Sequence, residues 1–418
     1  MTRRLITGNA AAAWGARLAR VDYIPAFPIT PQTEIIEVLA SWTDDGVMPA
    51  KMTTLESEHS MITAAGAAAA TGVRVFTATS SQGLLYGMEM IYTVAGWRAP
   101  FVLVNVSRGL SSPITLEPDH NDVLAARDSG MLQIHAATCQ EVLDGVLLAY
   151  RLAEDPRVRL PVIVNLDGFY LSFTREPVTL PEPEEVDAFL PAFDAGTTRF
   201  RGDESHSQGV AVIGGGTYSS FRFQLPLAAE AVRPVYDEVA ADFEAKLGRN
   251  MSALATHRLD DAEVVLVMMG SFATKAQAAV DGLRAAGVRA GLVRPRLLRP
   301  FPAESFRELL AGRRAVAVID QNLSMGLGGV LHTEIAAALY GLPDAPTLTS
   351  WVGALGGRDI TQEELFTVAA QSLAAAEAGD RHPAPRLLYT ERELQQVRHL
   401  QLVANPAASA STAQEVSS

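Results

Sequence analysis

The chain has 418 residues, with 34 Lys or Arg against 47 Asp or Glu and a formal net charge of −13. That length exceeds one ordinary domain, and a hydrophobic content of 48% fills substantial cores. The acidic balance argues against nucleic acid or an anionic membrane as partner, and a single cysteine, Cys139, excludes an intrachain disulfide and any cysteine-held iron–sulfur or zinc centre.

No apolar run reaches the length of a membrane span, and the eight histidines fall in no zinc-protease spacing. Met1 to Arg4 make a basic start, but Thr7, Gly8 and Asn9 interrupt it before a signal-peptide core can form. The expectation is a soluble, cytoplasmic protein.

In chain order, an Ala-rich helix is predicted over 9–21, followed by a short apolar run over 22–29. Thr30-Pro31 fits an N-cap followed by proline at the first helical position, so a helix is predicted over 31–42. Leu55-Glu56-Ser57-Glu58-His59 then opens a small-residue helix through Gly72, with Glu56 read as a capping or surface residue. A strand over 73–79 exits through Thr79-Ser80-Ser81-Gln82-Gly83. A helix over 84–97, strands over 101–106, 131–136 and 162–166, and a helix over 140–152 follow. Such alternation implies right-handed βαβ units, a parallel sheet covered on both faces, and a functional rim at the strands' carboxyl ends.

Beyond Arg175 the pattern weakens: Pro181, Pro183 and Pro191 mark a linker, Gly214-Gly215-Gly216 a turn, and 234–246 a helix. A second α/β unit starts near Asp261, with strands over 264–269, 290–293, 315–319 and 348–352. Its helices are predicted over 273–286, 302–311, 330–339 and 362–376. The glycine-rich stretch Asn322 to Gly329 is either a close-approach turn for a ligand or subunit or a plain strand-to-helix connection. Thr390-Glu391-Arg392-Glu393 is a capping box opening a last helix, and the Ala/Ser-rich tail after Ala404 reads as disordered. The division expected is 1–175, a linker region with a helix over 176–260, a second domain over 261–380, and a helix with tail over 381–418.

Several motifs occur in order: Phe27-Pro28-Ile29-Thr30-Pro31, Glu56-Ser57-Glu58-His59, Thr77 to Gly83, Val104-Asn105-Val106-Ser107-Arg108, Asp119-His120-Asn121-Asp122 and Gly356-Gly357-Arg358-Asp359. Together they resemble the alpha subunit of a multisubunit 2-oxoacid:ferredoxin oxidoreductase, of the pyruvate:ferredoxin oxidoreductase superfamily. The resemblance implies an α/β protein: a pyrimidine-binding-type parallel-sheet domain of the thiamine diphosphate enzymes, then a transketolase C-terminal-like α/β domain. It implies thiamine diphosphate shared with a beta subunit, Mg²⁺ and iron–sulfur clusters on partner subunits, and coenzyme A as cosubstrate. Beta, gamma and delta-type subunits are the implied partners, with ferredoxin, or NAD through a flavin subunit, as electron acceptor.

By the same resemblance Glu58 bonds to N1′ of the aminopyrimidine, with Pro28 and Ser81 against the cofactor. A carboxylic acid donating there favours the imino tautomer, whose nitrogen takes the thiazolium C2 proton. Thr30 contacts the substrate, and Arg108 takes the substrate carboxylate in a two-pronged bond. The residues alone leave other roles open: Glu58 as a first-turn carboxylate facing the helix dipole, Arg108 as a loop salt bridge, Ser81 as part of a turn, His120 as a surface or interface histidine. Phe27 stands where many relatives carry Tyr, pointing to a less polar substrate, and Glu117 disfavours a second acid group on it. The implied reaction is oxidative decarboxylation of a 2-oxoacid (pyruvate, branched-chain or aromatic such as phenylglyoxylate) to acyl-CoA and CO₂. The alternatives are a non-catalytic alpha-like structural subunit and a tandem nucleotide-binding protein like the electron-transfer flavoproteins.

Overall fold

The computed structural model describes residues 2–196, 199–200, 202–203, 207–380 and 383–404. The tail after Ala404, read as disordered, lies outside the described residues.

The N-terminal sheet runs Leu297–Arg299, Leu132–His135, Val162–Asp167, Val102–Ser107, Phe76–Thr79. Its inner strands pair in parallel, and Val102–Ser107 and Val162–Asp167 are buried along their whole length. Two covered faces explain why these strands read as continuous apolar runs. Tyr23–Ala26 pairs in parallel with Lys51–Thr54 and extends the layer through a parallel bridge from Tyr23 to Val75.

The helix Cys139–Ala153 crosses one face, where Gly15 of Gly8–Leu18 packs against Val146 so closely that a Cβ would stand 2.7 Å from its Cβ. On the other face Glu58–Ala70 meets Met88–Gly96, with Gly66 pressed on Val94. Small residues on these helices permit the approach.

The C-terminal sheet runs Arg386–Leu387, Thr347–Val352, Ala315–Asp320, Val264–Met268, Ala290–Pro295, Leu254–His257, parallel except for the last strand. Ala273–Ala285, Ala303–Leu310, Val330–Leu339 and Gln362–Glu377 cover it. The short strand Leu297–Arg299 leaves this unit and pairs antiparallel with Leu132–His135 at the edge of the N-terminal sheet. The two parts of the chain are thus joined by main-chain hydrogen bonds as well as by side chains.

Several local expectations are corrected. The helix expected from Pro31 begins at Thr33, with Gln32 at its N-cap and no side-chain cap bond, so Thr30 caps nothing. The reason is competition for carbonyls: Asn9 Nδ2 donates to Pro31 O at 2.9 Å, and the Arg108 guanidinium takes Thr30 O. The first turn therefore starts with Ile35 N–H donating to Gln32 O. The helix expected over 84–97 is two, Gln82–Tyr86 and Met88–Gly96, parted at Gly87, which sits against Ile62.

The helix expected over 234–246 is present as the last part of a 33-residue helix, Gly215–Leu247, which starts in the stretch read as a turn and passes through Pro226 and Pro234. Prolines that ordinarily end a helix are carried here by an apolar face, Val232, Val235, Tyr236, Val239 and Phe243, packed into the N-terminal core. Its first turns instead expose Tyr218, Phe221 and Phe223. The ribbon of Thr2–Thr7 with Arg175–Leu180 has no clear signal in the sequence, because the first strand is mostly exposed and the second, with Pro177 inside it, mixes exposed and buried positions.

The glycine-rich connection 322–329 is used by the chain itself. Asp320 accepts from Leu331 N at 2.8 Å and His332 N at 3.1 Å, capping Val330–Leu339, and any side chain on Gly329 would collide with it. Complete burial pushes the Asp320 carboxyl up to about 7 against those two bonds. The capping box at Thr390 forms as expected, Thr390 N donating to Glu393 at 2.7 Å and Glu393 N to Thr390 Oγ1 at 3.3 Å.

Candidate active site

Glu58 is the first residue of Glu58–Ala70, behind an extended Ser57 whose hydroxyl accepts from Ser60 N at 3.2 Å. Glu56 instead is exposed and bonded to the Ser60 hydroxyl. This cap turns Glu58 inward, where it is only 5% exposed. Its carboxyl lies against Gly83: a Cβ there would stand 2.6 Å from Thr79 Oγ1 and 2.9 Å from the Glu58 carboxyl carbon. Burial pushes the Glu58 carboxyl above the ordinary range, partly opposed by its own backbone N–H.

Arg108 leaves the carboxyl end of Val102–Ser107, and its guanidinium donates to Thr30 O and, at 2.7 Å, to Gln82 Oε1. Burial lowers its pKa, with nearby Asp122 opposing. The neutral acceptors leave its positive charge uncompensated at the contact points. Ser81 holds a positive φ of 47°, donates its hydroxyl to Gly109 O at 3.0 Å, and is fully buried. Thr30, Ser81–Gln82 and Arg108 are thus brought to one rim by direct bonds, with Glu58 joined to it through Gly83. Thr30 and Pro28 are exposed on the loop in front. Phe27 is half-buried and packs against the apolar cluster that the two parts of the chain share.

Asp122 ends the Asp119-His120-Asn121-Asp122 motif, which the resemblance would place at the pocket's closure or against a beta subunit. It is fully buried and accepts from five groups: Ser81 N at 3.0 Å, Asn105 Nδ2 at 3.1 Å, Arg108 N at 3.3 Å, Ser107 Oγ at 2.5 Å and Val123 N at 2.7 Å. No spacing signal in the sequence marks such a hub; only the crossing of two strand exits creates it. His120 is neither a surface nor a subunit-contact residue in this chain: at 1% exposure it bonds Asp167 at 2.6 Å. Asp167 also accepts from Ser271 N at 2.7 Å, tying the two parts of the chain together. Asp119 beside it is pushed up to about 6 by burial.

Does this rim suit a heterocyclic cofactor? Thr79 Oγ1, Ser80 Oγ, Gln82 Nε2 and Arg108 Nε are buried there without a partner among the described residues. Buried polar atoms are ordinarily bonded, so four orphans beside a buried carboxyl and a glycine cradle fit a polar ligand. Among the described residues no group of three or more His, Cys, Asp or Glu stands ready for a metal ion, and no helix is long and apolar enough to cross a membrane.

Two successive parallel-sheet units with a carboxyl and a guanidinium at the carboxyl rim of the first define an α/β chain of the thiamine-enzyme fold class. Comparison with solved structures agrees. The fold matches the 2-oxoglutarate:ferredoxin oxidoreductase of Magnetococcus marinus at TM-score 0.67 and 18% identity, covering 89% of this chain and 65% of that one. It also matches a split-gene transketolase at TM-score 0.52 and 15% identity, over 88% of this chain and 98% of that one.

The chain belongs to the pyruvate flavodoxin/ferredoxin oxidoreductase, thiamine diphosphate-binding family, whose model matches residues 14–240; the pyruvate:ferredoxin oxidoreductase core domain II follows over 262–365. It is 42% identical over 361 residues to the pyruvate synthase subunit PorA of Methanothermobacter thermautotrophicus, covering 86% of this chain and 93% of that protein. It is 40% identical over 363 residues to PorA of Thermotoga maritima, 87% and 92% of the two chains. With the ketoisovalerate oxidoreductase subunit VorA of Pyrococcus horikoshii it shares 38% over 378 residues, 90% and 95% of the two.

Proposed function

We propose that this chain is the alpha subunit of a cytoplasmic, thiamine diphosphate-dependent oxidoreductase. The complex would convert a 2-oxoacid and coenzyme A to acyl-CoA and CO₂. The observation that carries the reading is the rim where a buried Glu58 and an Arg108 fixed on Thr30 and Gln82 lie on either side of the Ser81–Gly83 turn. Glu58, Ser81 and Pro28 would hold the aminopyrimidine end of the cofactor, which when bound supplies the carbanion chemistry needed to release CO₂. Burial raises the Glu58 pKa and so favours its acid form, which would donate to the ring nitrogen of the cofactor. Arg108 binds the substrate carboxylate, and Thr30 at the exposed lip orients the acid.

Mg²⁺ and the iron–sulfur clusters belong to partner subunits of beta, gamma and delta type. Electrons leave to ferredoxin or, through a flavin subunit, to NAD. Similarity to both pyruvate and ketoisovalerate enzymes supports a small aliphatic acid, pyruvate first and a branched acid second; phenylglyoxylate stays in the panel as the aromatic test. The test is the native complex captured through this chain, assayed for coenzyme A-dependent viologen reduction with pyruvate, 2-oxoisovalerate, 2-oxoglutarate, indolepyruvate and phenylglyoxylate. Reduction with pyruvate is expected. Silence across the panel with every partner present would favour a non-catalytic alpha-like subunit.

A further inference from the structure

A guanidinium selects a carboxylate only if its own base is immobile. Arg108 and the side chain it leans on hang from one oxygen. Asp122 Oδ2 accepts from Arg108 N at 3.3 Å and from Ser81 N at 3.0 Å, and the next residue, Gln82, presents Oε1 to Arg108 at 2.7 Å. The other oxygen takes Ser107 Oγ at 2.5 Å and Val123 N at 2.7 Å. We propose that Asp122 is the positioning residue of the site: its carboxylate clamps the exits of two neighbouring strands so that Arg108 and Gln82 meet at a fixed angle. The inference rests on the functional reading above, in which Arg108 binds the substrate carboxylate.

Burial raises the pKa of the Asp122 carboxyl, and the bonds it accepts oppose that shift. Five donors converge on that carboxyl, and Ser81 is held at a positive φ of 47°, a conformation costly for a residue with a side chain. An amide offers one acceptor oxygen and turns its NH₂ toward donors on the other side. Either placement of the amide loosens the clamp. With NH₂ on the Ser107 side the Val123 N–H loses its acceptor; with NH₂ on the other side Ser81 N, Asn105 Nδ2 and Arg108 N lose theirs. Both shift the base on which Gln82 and Arg108 meet. A purely structural aspartate would weaken the fold without regard to substrate; a positioning residue acts through Arg108.

The experiment compares Asp122→Asn, Arg108→Ala and the double variant in the assembled complex, reading KM for the 2-oxoacid, kcat and the thermal midpoint. Asp122→Asn is expected to raise KM about 10-fold, the loss of one charge-assisted bond at Arg108, with a smaller change in kcat. In the Arg108→Ala background it should add less than about 2-fold, as coupled residues do. Independent, multiplying effects would overturn the proposal, as would an unchanged KM in Asp122→Asn beside a raised KM in Arg108→Ala. An Arg108→Ala complex with unchanged KM would instead remove the substrate-binding reading and the proposal with it. Should Asp122→Asn not assemble, Ser107→Ala removes one hydroxyl from Oδ1 and carries the same comparison, with a rise in KM confined to the Arg108 background.

Discussion

Gly83 lies against Glu58 so closely that a Cβ on it would stand 2.9 Å from the carboxyl carbon. The glycine is therefore a spatial requirement of the acid, and its own backbone needs no left-handed conformation. Gly83→Ala should displace the Glu58 carboxyl and lower kcat about 100-fold, within the range for loss of a positioned proton-transfer group. Glu58→Gln should abolish turnover while the complex still assembles, as size-exclusion chromatography would show. Normal turnover in Glu58→Gln would remove that residue from the chemistry.

Arg108 donates from two nitrogens to a loop carbonyl and to the first side chain of the helix Gln82–Tyr86, a geometry that an ammonium cannot reproduce. Arg108→Lys should raise KM for the 2-oxoacid about 10–100-fold, while KM for coenzyme A stays within about 2-fold. Steady-state kinetics with each substrate varied in turn decide this. A parallel rise for both substrates would point to general disorder at the rim.

Cys139 is fully buried at the start of Cys139–Ala153, where burial and Glu176 raise its thiol pKa far above the ordinary value. Both effects remove the thiolate that alkylating agents need. Under native conditions iodoacetamide should leave Cys139 unmodified, and in denaturant it should label it fully. Peptide mass spectrometry of this chain reads the site separately from cysteines on other subunits; rapid native labelling would contradict the packing described.

The His120–Asp167 pair makes a signed prediction about pH. For His120, burial lowers the pKa but Asp167 outweighs it, so the folded value lies above 6.5; for Asp167, burial raises it but His120 and Ser271 outweigh that, so the folded value lies below 3.8. The raised histidine contributes stability in full below 6.5, lost as pH rises through its folded value; the lowered aspartate contributes above 3.8, lost as pH falls through its folded value. The pair's contribution is therefore complete between those limits. Asp119, pushed to about 6, and Asp320, to about 7, share the sign of the raised histidine and oppose that of Asp167: each weakens the fold as pH rises from 3.8 to its folded value. Subtracting an Asp167→Asn variant from the wild type isolates the pair. The loss should be about 3–5 kcal/mol at pH 5.5, as when one member of a buried pair is removed, and smaller at pH 9, by denaturant unfolding. An equal loss at both values would show that His120 is neutral throughout.

Much of this architecture could be read from the residues because both sheets are covered on two faces. Buried parallel strands such as Val102–Ser107 carry unbroken apolar runs, and Val330–Leu339 begins and ends where its pattern does. Exposed or exceptional elements escaped. Thr2–Thr7 lacks an apolar face, and the part of Gly215–Leu247 ahead of the helix expected at 234–246 opens on a glycine run and carries Pro226, which local rules treat as breaks. At the site, the ordered motifs pointed to Glu58, Thr30, Ser81 and Arg108, and the fold brings them to one rim. Asp122 and Gly83 could not be weighed that way, since each matters through a contact 14 to 41 residues away in sequence.

The strand Leu297–Arg299 sits on the edge of a sheet otherwise made by residues far upstream. A recombinant hybrid joined near residue 261 would finish its N-terminal sheet with a donor's strand, and Arg299 of that strand reaches back to Arg127 O at 3.0 Å. Exchange between relatives is then least disruptive when the donor segment 297–299 is kept with the recipient's own sequence. The piece to be traded is defined by hydrogen bonding across the seam, and a cut placed only by counting along the chain would miss it.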